Sequence, residues 1–188
     1  YLLLRAGYML PVEEHTAMVN EYVELAAQAG RPRMDNIRVA VRGAFCEQPP
    51  LGLLRTLERA GCYVVDDDFV LGSRFIEQDL DVHGDPWDAL AQGFMHHSLP
   101  AASKYDQRRT KHADFVKRVR DYRADGVIFM APSFCDPALL EQPMLQKALE
   151  DADIPFTAFK YSEDTGQFQV IREQAGTFAD ALKLWGNA

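Results

Sequence analysis

The chain is short of cysteine, of positive charge and of long apolar runs, and each shortage closes a class of function. Only three cysteines occur in 188 residues, Cys46, Cys62 and Cys135. They are odd in number, far apart and form no C-x-x-C pair. That fits a reducing cytosol better than a disulfide framework, and a zinc site built from this chain alone is not signalled. Lys and Arg total 20 against 28 Asp and Glu, for a net charge of -8, and the pI is about 5.1. Nucleic-acid binders are usually basic, so that class is disfavoured. No apolar run approaches the roughly 20 residues of a membrane span. The opening "YLLLRAGYML" is too short for a signal peptide and is interrupted by Arg5. Neither G-x-G-x-x-G nor G-x-x-x-x-G-K-[ST] is present, so no dinucleotide or ATP site is signalled. The first residue is Tyr1 rather than methionine, and the expectation is a piece of a longer or processed chain.

What is present is an apolar fraction of 47%, enough for one good core. Residues 12 to about 29 repeat apolar side chains at helical spacing, with Gly30 and Pro32 as terminators. Residues 1–35 therefore read as a helical lead-in, closed by the linker "GRPRMDN". From residue 36 to 188 strands and helices alternate. Strands are expected at 37–43, 62–69, 126–132 and 155–161. Helices are expected at 49–61, 85–94, 108–124, 143–153 and 167–186. Leu51, Leu54 and Leu57 would share one helix face; His112, Phe115, Val119 and Tyr122 would line another. Such alternation predicts an α/β fold, a Rossmann- or flavodoxin-like parallel sheet of about four strands with helices on both faces. Ligands of such sheets sit beyond the carboxyl ends of the strands. The unusual stretches "GAFCEQPP", "DDDF", "APSFCDP" and "KYSEDTGQ" all fall there.

Cys135 follows a buried strand and precedes "DP", with Asp136 a good N-cap and Pro137 a good first helical residue. Free N–H groups at a helix start stabilise a thiolate. The residues alone leave two roles open: a metal, cluster or nucleophilic sulfur, or a small buried hydrophobe. Cys46 ends the first strand and could reach the same crevice, or pack beneath the prolines. Cys62 starts the second strand at the opposite end and reads as core. Asp66, Asp67 and Asp68 crowd one strand end, which suits either proton donation or a hydrogen-bonded turn. Lys104, Arg108, Arg109 and Lys111 gather positive charge in an acidic chain, as a phosphate grip or as a solvated helix face. His96 and His97 are adjacent and make a poor metal pair.

Three stretches, "GAFCEQPPLGLLRTLERAGCYVVDDDFVLGSRF", "GVIFMAPSFCDPALLEQPMLQKALEDADIPFTAFKY" and "GQFQVIREQAGTFADALKLW", together with "LRAGYMLPVEEHT", cover most of the chain. They resemble the carboxyl-terminal half of the benzoyl-CoA reductase / 2-hydroxyacyl-CoA dehydratase superfamily. The "FCDP…QP" segment is its mark, and "CEQPP" and "DDDF" favour the reductase branch, nearest its B-type subunit. The resemblance implies a subunit holding a 4Fe–4S cluster through three cysteines between two α/β domains. Cys135 would be the carboxyl-terminal ligand, and the remaining ligands would lie outside this chain. It further implies a homologous second cluster subunit, a separate ATP-hydrolysing activator, and single-electron transfer to an aromatic acyl-CoA. Asp67 or Asp68 near the cluster, and Arg74, Arg108 and Arg109 near coenzyme A, are the accompanying expectations. A 2-hydroxyacyl-CoA dehydratase subunit is the alternative within the superfamily; a non-catalytic flavodoxin-like binding or assembly domain is the alternative outside it.

Overall fold

"GVIFMAP" is apolar on both faces and "IRVAVR" is apolar but for Arg38 and Arg42; both become central strands. The computed structural model describes residues 1–43, 48–71, 74, 77–100, 111–162 and 168–185. The sheet consists of β1 (Ile37–Arg42), β2 (Cys62–Asp67), β3 (Gly126–Pro132) and β4 (Phe156–Tyr161). All pairings are parallel and the order is β2-β1-β3-β4. Every residue of β3 is buried, and all of β1 but Arg38, which is half-buried. The edge strands β2 and β4 mix buried with half-buried or exposed residues. That gradient is what a sheet covered on both faces requires.

Seven helices accompany the strands among the described residues: α1 (Leu2–Ala6), α2 (Val12–Gln28), α3 (Leu51–Arg59), α4 (Pro86–His96), α5 (Lys111–Asp121), α6 (Asp136–Glu150) and α7 (Phe168–Trp185). On one face Val39, Val41, Ile128 and Met130 pack against Leu53 and Leu57 of α3 and Ile171, Ala175 and Ala179 of α7. On the other, Ala40, Val127 and Phe129 meet Phe115 and Val119 of α5 and Leu149 of α6. Two helices per face and four parallel strands make the α/β sandwich that the strand–helix alternation predicts.

Residues Tyr1–Asp35 and Asn36–Ala188 form two compact units. In the first, His15 Nε2 bonds the Leu3 carbonyl at 2.9 Å, tying α2 to α1. Neither helix buries a residue.

Three local expectations are corrected. The buried face of α3 is Leu53 and Leu57, each 0% exposed, whereas Leu51 is 39% exposed; the helix starts after Pro50, so its first residue projects before the sheet is reached. Tyr122 is not in the inner stripe of α5 but exposed, its ring lying 4.8 Å from the Arg118 guanidinium carbon. The helix expected from Pro143 begins at Asp136 and runs through that proline. An interior proline removes one helical hydrogen bond and crowds the carbonyl four residues back, yet the helix continues past it.

Candidate functional site

From β1 the chain moves outward to β2, and from β3 it moves outward the other way to β4. The carboxyl ends of β1 and β3 therefore flank the topological switch point, where open parallel sheets form their crevice. Gly43 leaves β1 with φ +114, and a Cβ there would stand 2.9 Å from the Met130 carbonyl oxygen. Only glycine permits both that backbone and that approach. Its N–H donates to Asp68 Oδ2 at 2.9 Å. On the β3 side, the Ser133 N–H and hydroxyl both donate to the Tyr161 carbonyl, at 2.8 and 2.9 Å.

Cys135 stands at this mouth, one residue before α6. It is itself the N-cap, and Asp136 and Pro137 are the first helical residues. The expected cap at Asp136 is thus displaced by one; a proline in the first turn fits because the N–H groups there have no helical acceptor. The Cys135 N–H donates to the Pro132 carbonyl, and its own carbonyl accepts from Leu139 N–H, both at 3.0 Å. The residue is 1% exposed, packed with Ala131, Ala138 and Leu139.

Cys62 begins β2, at the other end of the parallel strands. Burial pushes its thiol up to about 11, partly opposed by the Lys183 charge. Cys46 lies outside the described residues. Among the described residues no group of three or more His, Cys, Asp or Glu is arranged to hold a metal ion. One enclosed sulfur is not a cluster cage, and these residues by themselves do not fit a complete iron–sulfur centre.

The acids of "DDDF" part company. Regular alternation would point Asp66 with Val64, away from Arg42. A bulge reverses this: Val39 pairs with Val64 while Ala40 pairs with Asp66, leaving Val65 surplus. Asp66 thereby joins the face of Ala40 and Arg42. Its carboxylate accepts from Arg42, from Arg118 Nε at 2.9 Å to both oxygens, and from Arg118 Nη2 at 2.7 Å. Arg118 also donates to Glu77. Arg42 lies over the Phe115 ring, 5.3 Å from its centroid. Arg42 and Asp66 are only 6% and 5% exposed.

Asp67 pairs with Val41 instead, and its Oδ1 accepts from Phe69 N–H at 2.9 Å. Burial pushes its carboxyl above the ordinary range; the Phe69 bond opposes this and the Asp68 charge reinforces it. Asp68, bonded to Gly43, faces Arg74 Nη2 at 3.8 Å. Arg74 is buried, and its carbonyl accepts from Leu99 N–H. A cavity of about 460 Å³ opens on the α5 and α6 side, with Arg42, Asp68, Lys111, Arg118, Glu141 and Leu145 among its walls. Lys111 and Glu141 pair across it at 3.0 Å.

Of the residues picked from sequence, Asp68 and Arg74 come together and Asp68 reaches the cavity. Cys135 sits in a separate packing group, and Arg108 and Arg109 lie outside the described residues. Sequence reasoning missed Arg42, Asp66 as the central acid, and Arg118. A signal existed: an arginine ending an otherwise apolar buried strand needs a partner on its own face.

A family model described as 2-hydroxyglutaryl-CoA dehydratase, D-component, matches residues 1–182. The chain is 49% identical over 186 residues to the C-type subunit of benzoyl-CoA reductase from Thauera aromatica, covering 98% of this chain and 48% of that protein. It is 25% identical over 181 residues to the (R)-phenyllactyl-CoA dehydratase beta subunit of Clostridium sporogenes, covering 96% and 47%. It is 27% identical over 187 residues to (R)-2-hydroxyglutaryl-CoA dehydratase, subunit beta, of Acidaminococcus fermentans, covering 96% and 48%. The chain spans about half the length of these relatives. The reductase relative is thus of the C type, whereas the motifs point to the B type.

Proposed function

The chain belongs to the 2-hydroxyglutaryl-CoA dehydratase D-component family, and from that premise we propose that it is part of one subunit of an ATP-dependent benzoyl-CoA reductase. The observation that carries this reading is the 49% identity to a reductase subunit, against 25% and 27% to two dehydratase subunits.

In this reading Cys135 is one ligand of a 4Fe–4S cluster, Cys46 is a candidate second, and the other ligands lie beyond this chain. Bound there, the cluster would supply single low-potential electrons to an aromatic acyl-CoA. This chain's own part is to fix the Cys135 sulfur at the switch point, through the backbone bonds to Pro132 and Leu139. Asp68 holds the rim of the neighbouring cavity and is the better placed of the two proposed proton relays; Asp67, raised by burial, is the other. Arg74, which faces Asp68, contacts coenzyme A. Arg108 and Arg109 contact the phosphates of coenzyme A. A homologous second cluster subunit and an ATP-hydrolysing activator complete the assembly, in the cytosol.

The dehydratase relatives support a second reading, a 2-hydroxyacyl-CoA dehydratase subunit. Anaerobic purification of the full-length subunit with its copurifying subunits, followed by assays of ring reduction and of dehydration, separates the two. In the same preparation Cys135→Ala should abolish or alter the cluster EPR signal. An unchanged signal removes Cys135 as a ligand. Intact protein without iron or sulfide would instead favour a binding or assembly module.

A further inference from the structure

Helix α4 (Pro86–His96) is built inside out. Asp85 caps it, its Oδ1 accepting from Trp87 N–H at 2.8 Å and Asp88 N–H at 3.1 Å. Its only buried residue is Gly93, and a Cβ at that glycine would collide with a Leu80 methyl. Ala89 is half-buried and lies one turn earlier on the same side. The helix thus seats on its own chain through its smallest residues. On the flank next to it, at spacings of three, four and seven, stand Trp87, Leu90 and Phe94, with Met95 further round. Trp87 is 79% exposed, Leu90 48%, and Phe94 and Met95 47% each. Eleven residues are too few for a helix to hold in water on propensity alone, and most helices of this length draw their stability from a buried apolar face. This one turns that face outward.

We propose that the Trp87–Leu90–Phe94 face of α4 docks a second protein chain through an apolar groove edged with Lys or Arg, namely another subunit of the same complex. The charge around the helix argues the occupant. Residues 78–100 contain Asp79, Asp81, Asp85 and Asp88, and no Lys or Arg; Glu77, just before them, is paired with Arg118. An aromatic centre with an acidic collar matches a basic-rimmed partner groove. The same collar argues against a lipid surface, since membrane-surface helices carry Lys or Arg on the polar face to meet anionic lipids. It also argues against a second copy of this face, whose like charges would repel. The assignment of the groove to a fellow subunit rests on the reading of the chain as one subunit of an assembly.

The test uses the full-length subunit isolated with its stoichiometric partners. Trp87→Ser and Phe94→Ser, singly and together, should weaken association on the order of 30-fold or more, as for central aromatic anchors. Native mass spectrometry and sedimentation at low and high salt read it, and the unmodified complex should itself loosen as salt rises. The circular dichroism of the separated subunit should be unchanged, because Trp87 is largely exposed and Phe94 about half so. A photo-crosslinker at Leu90 should land on the partner beside Lys or Arg. Unchanged stoichiometry in the double variant overturns the inference. So do crosslinks confined to the same chain, to a second copy or to lipid. These readouts need neither iron nor acyl-CoA. Failure of the reductase reading and failure of this surface are therefore seen separately.

Discussion

Arg118, on α5, straddles Asp66, at the end of β2: its Nε reaches both carboxylate oxygens at 2.9 Å and its Nη2 reaches one at 2.7 Å. With Arg42 on the remaining side, one buried carboxylate holds two guanidinium groups and joins β1, β2 and a helix 52 residues away in sequence. Removing Asp66 leaves the buried Arg42 without its carboxylate and Arg118 with Glu77 alone. Asp66→Ala should cost about 3–5 kcal/mol, as for a broken buried ion pair. Urea melts check this, and a double-mutant cycle with Arg118→Met should show coupling well beyond additivity. The exposed Lys117–Asp121 pair, at 2.5 Å, is the control: Lys117→Ala should leave the melt unmoved.

Gly43→Ala tests the switch point. The positive φ and the 2.9 Å approach to the Met130 carbonyl act together, so the methyl strains the backbone and pushes β1 from β3. A loss of about 1–3 kcal/mol is expected, seen as a lower denaturation midpoint with an unchanged urea slope. A neutral or stabilising effect would show that β1 leaves the sheet by another path.

Asp67 gives a pH-dependent stability. Burial raises its carboxyl pKa in the folded chain, against the opposing Phe69 bond. Folding therefore favours the protonated form. Its contribution is fully present below the ordinary carboxylate pKa, near 3.9, and is lost as pH rises through the folded value. Asp67→Asn keeps an oxygen for Phe69 and removes the ionisation. It should melt higher than the parent at pH 7, by up to about 3 °C, and the gap should close as pH falls below the ordinary aspartate range. A variant that melts lower at pH 7 would show that the ionic hydrogen bond outweighs burial.

The sheet was readable because β3 is apolar on both faces and β1 on one, in short runs separated by helices. The order of the strands, β2-β1-β3-β4, comes from the structure; the strand–helix alternation sets only that they are parallel. The mouth of the sheet, and Cys135 within it, followed from the same logic. Finer features escaped for physical reasons. Period-two counting fails in β2, because the surplus Val65 inverts parity and puts Asp66, not Asp67, against the arginines. Leu51 and Leu53 are both apolar, and only the entry angle after Pro50 decides which is covered. Pro143 reads as a start because proline is disfavoured within helices, yet α6 continues through it. The Arg118–Asp66 contact spans 52 residues, a distance at which sequence spacing carries no signal.

The bulge at Val65 also guards against misassembly. An edge strand of a parallel sheet is prone to slipping by one residue, because its outer side has no neighbour to hold it. In β2 the residues before the bulge are locked by oil-like packing and those after it by charge. A slipped chain would bare Val64 to water and leave Arg42 facing the wrong acid in the same movement. Two unlike penalties, triggered together, make the correct alignment the only cheap one.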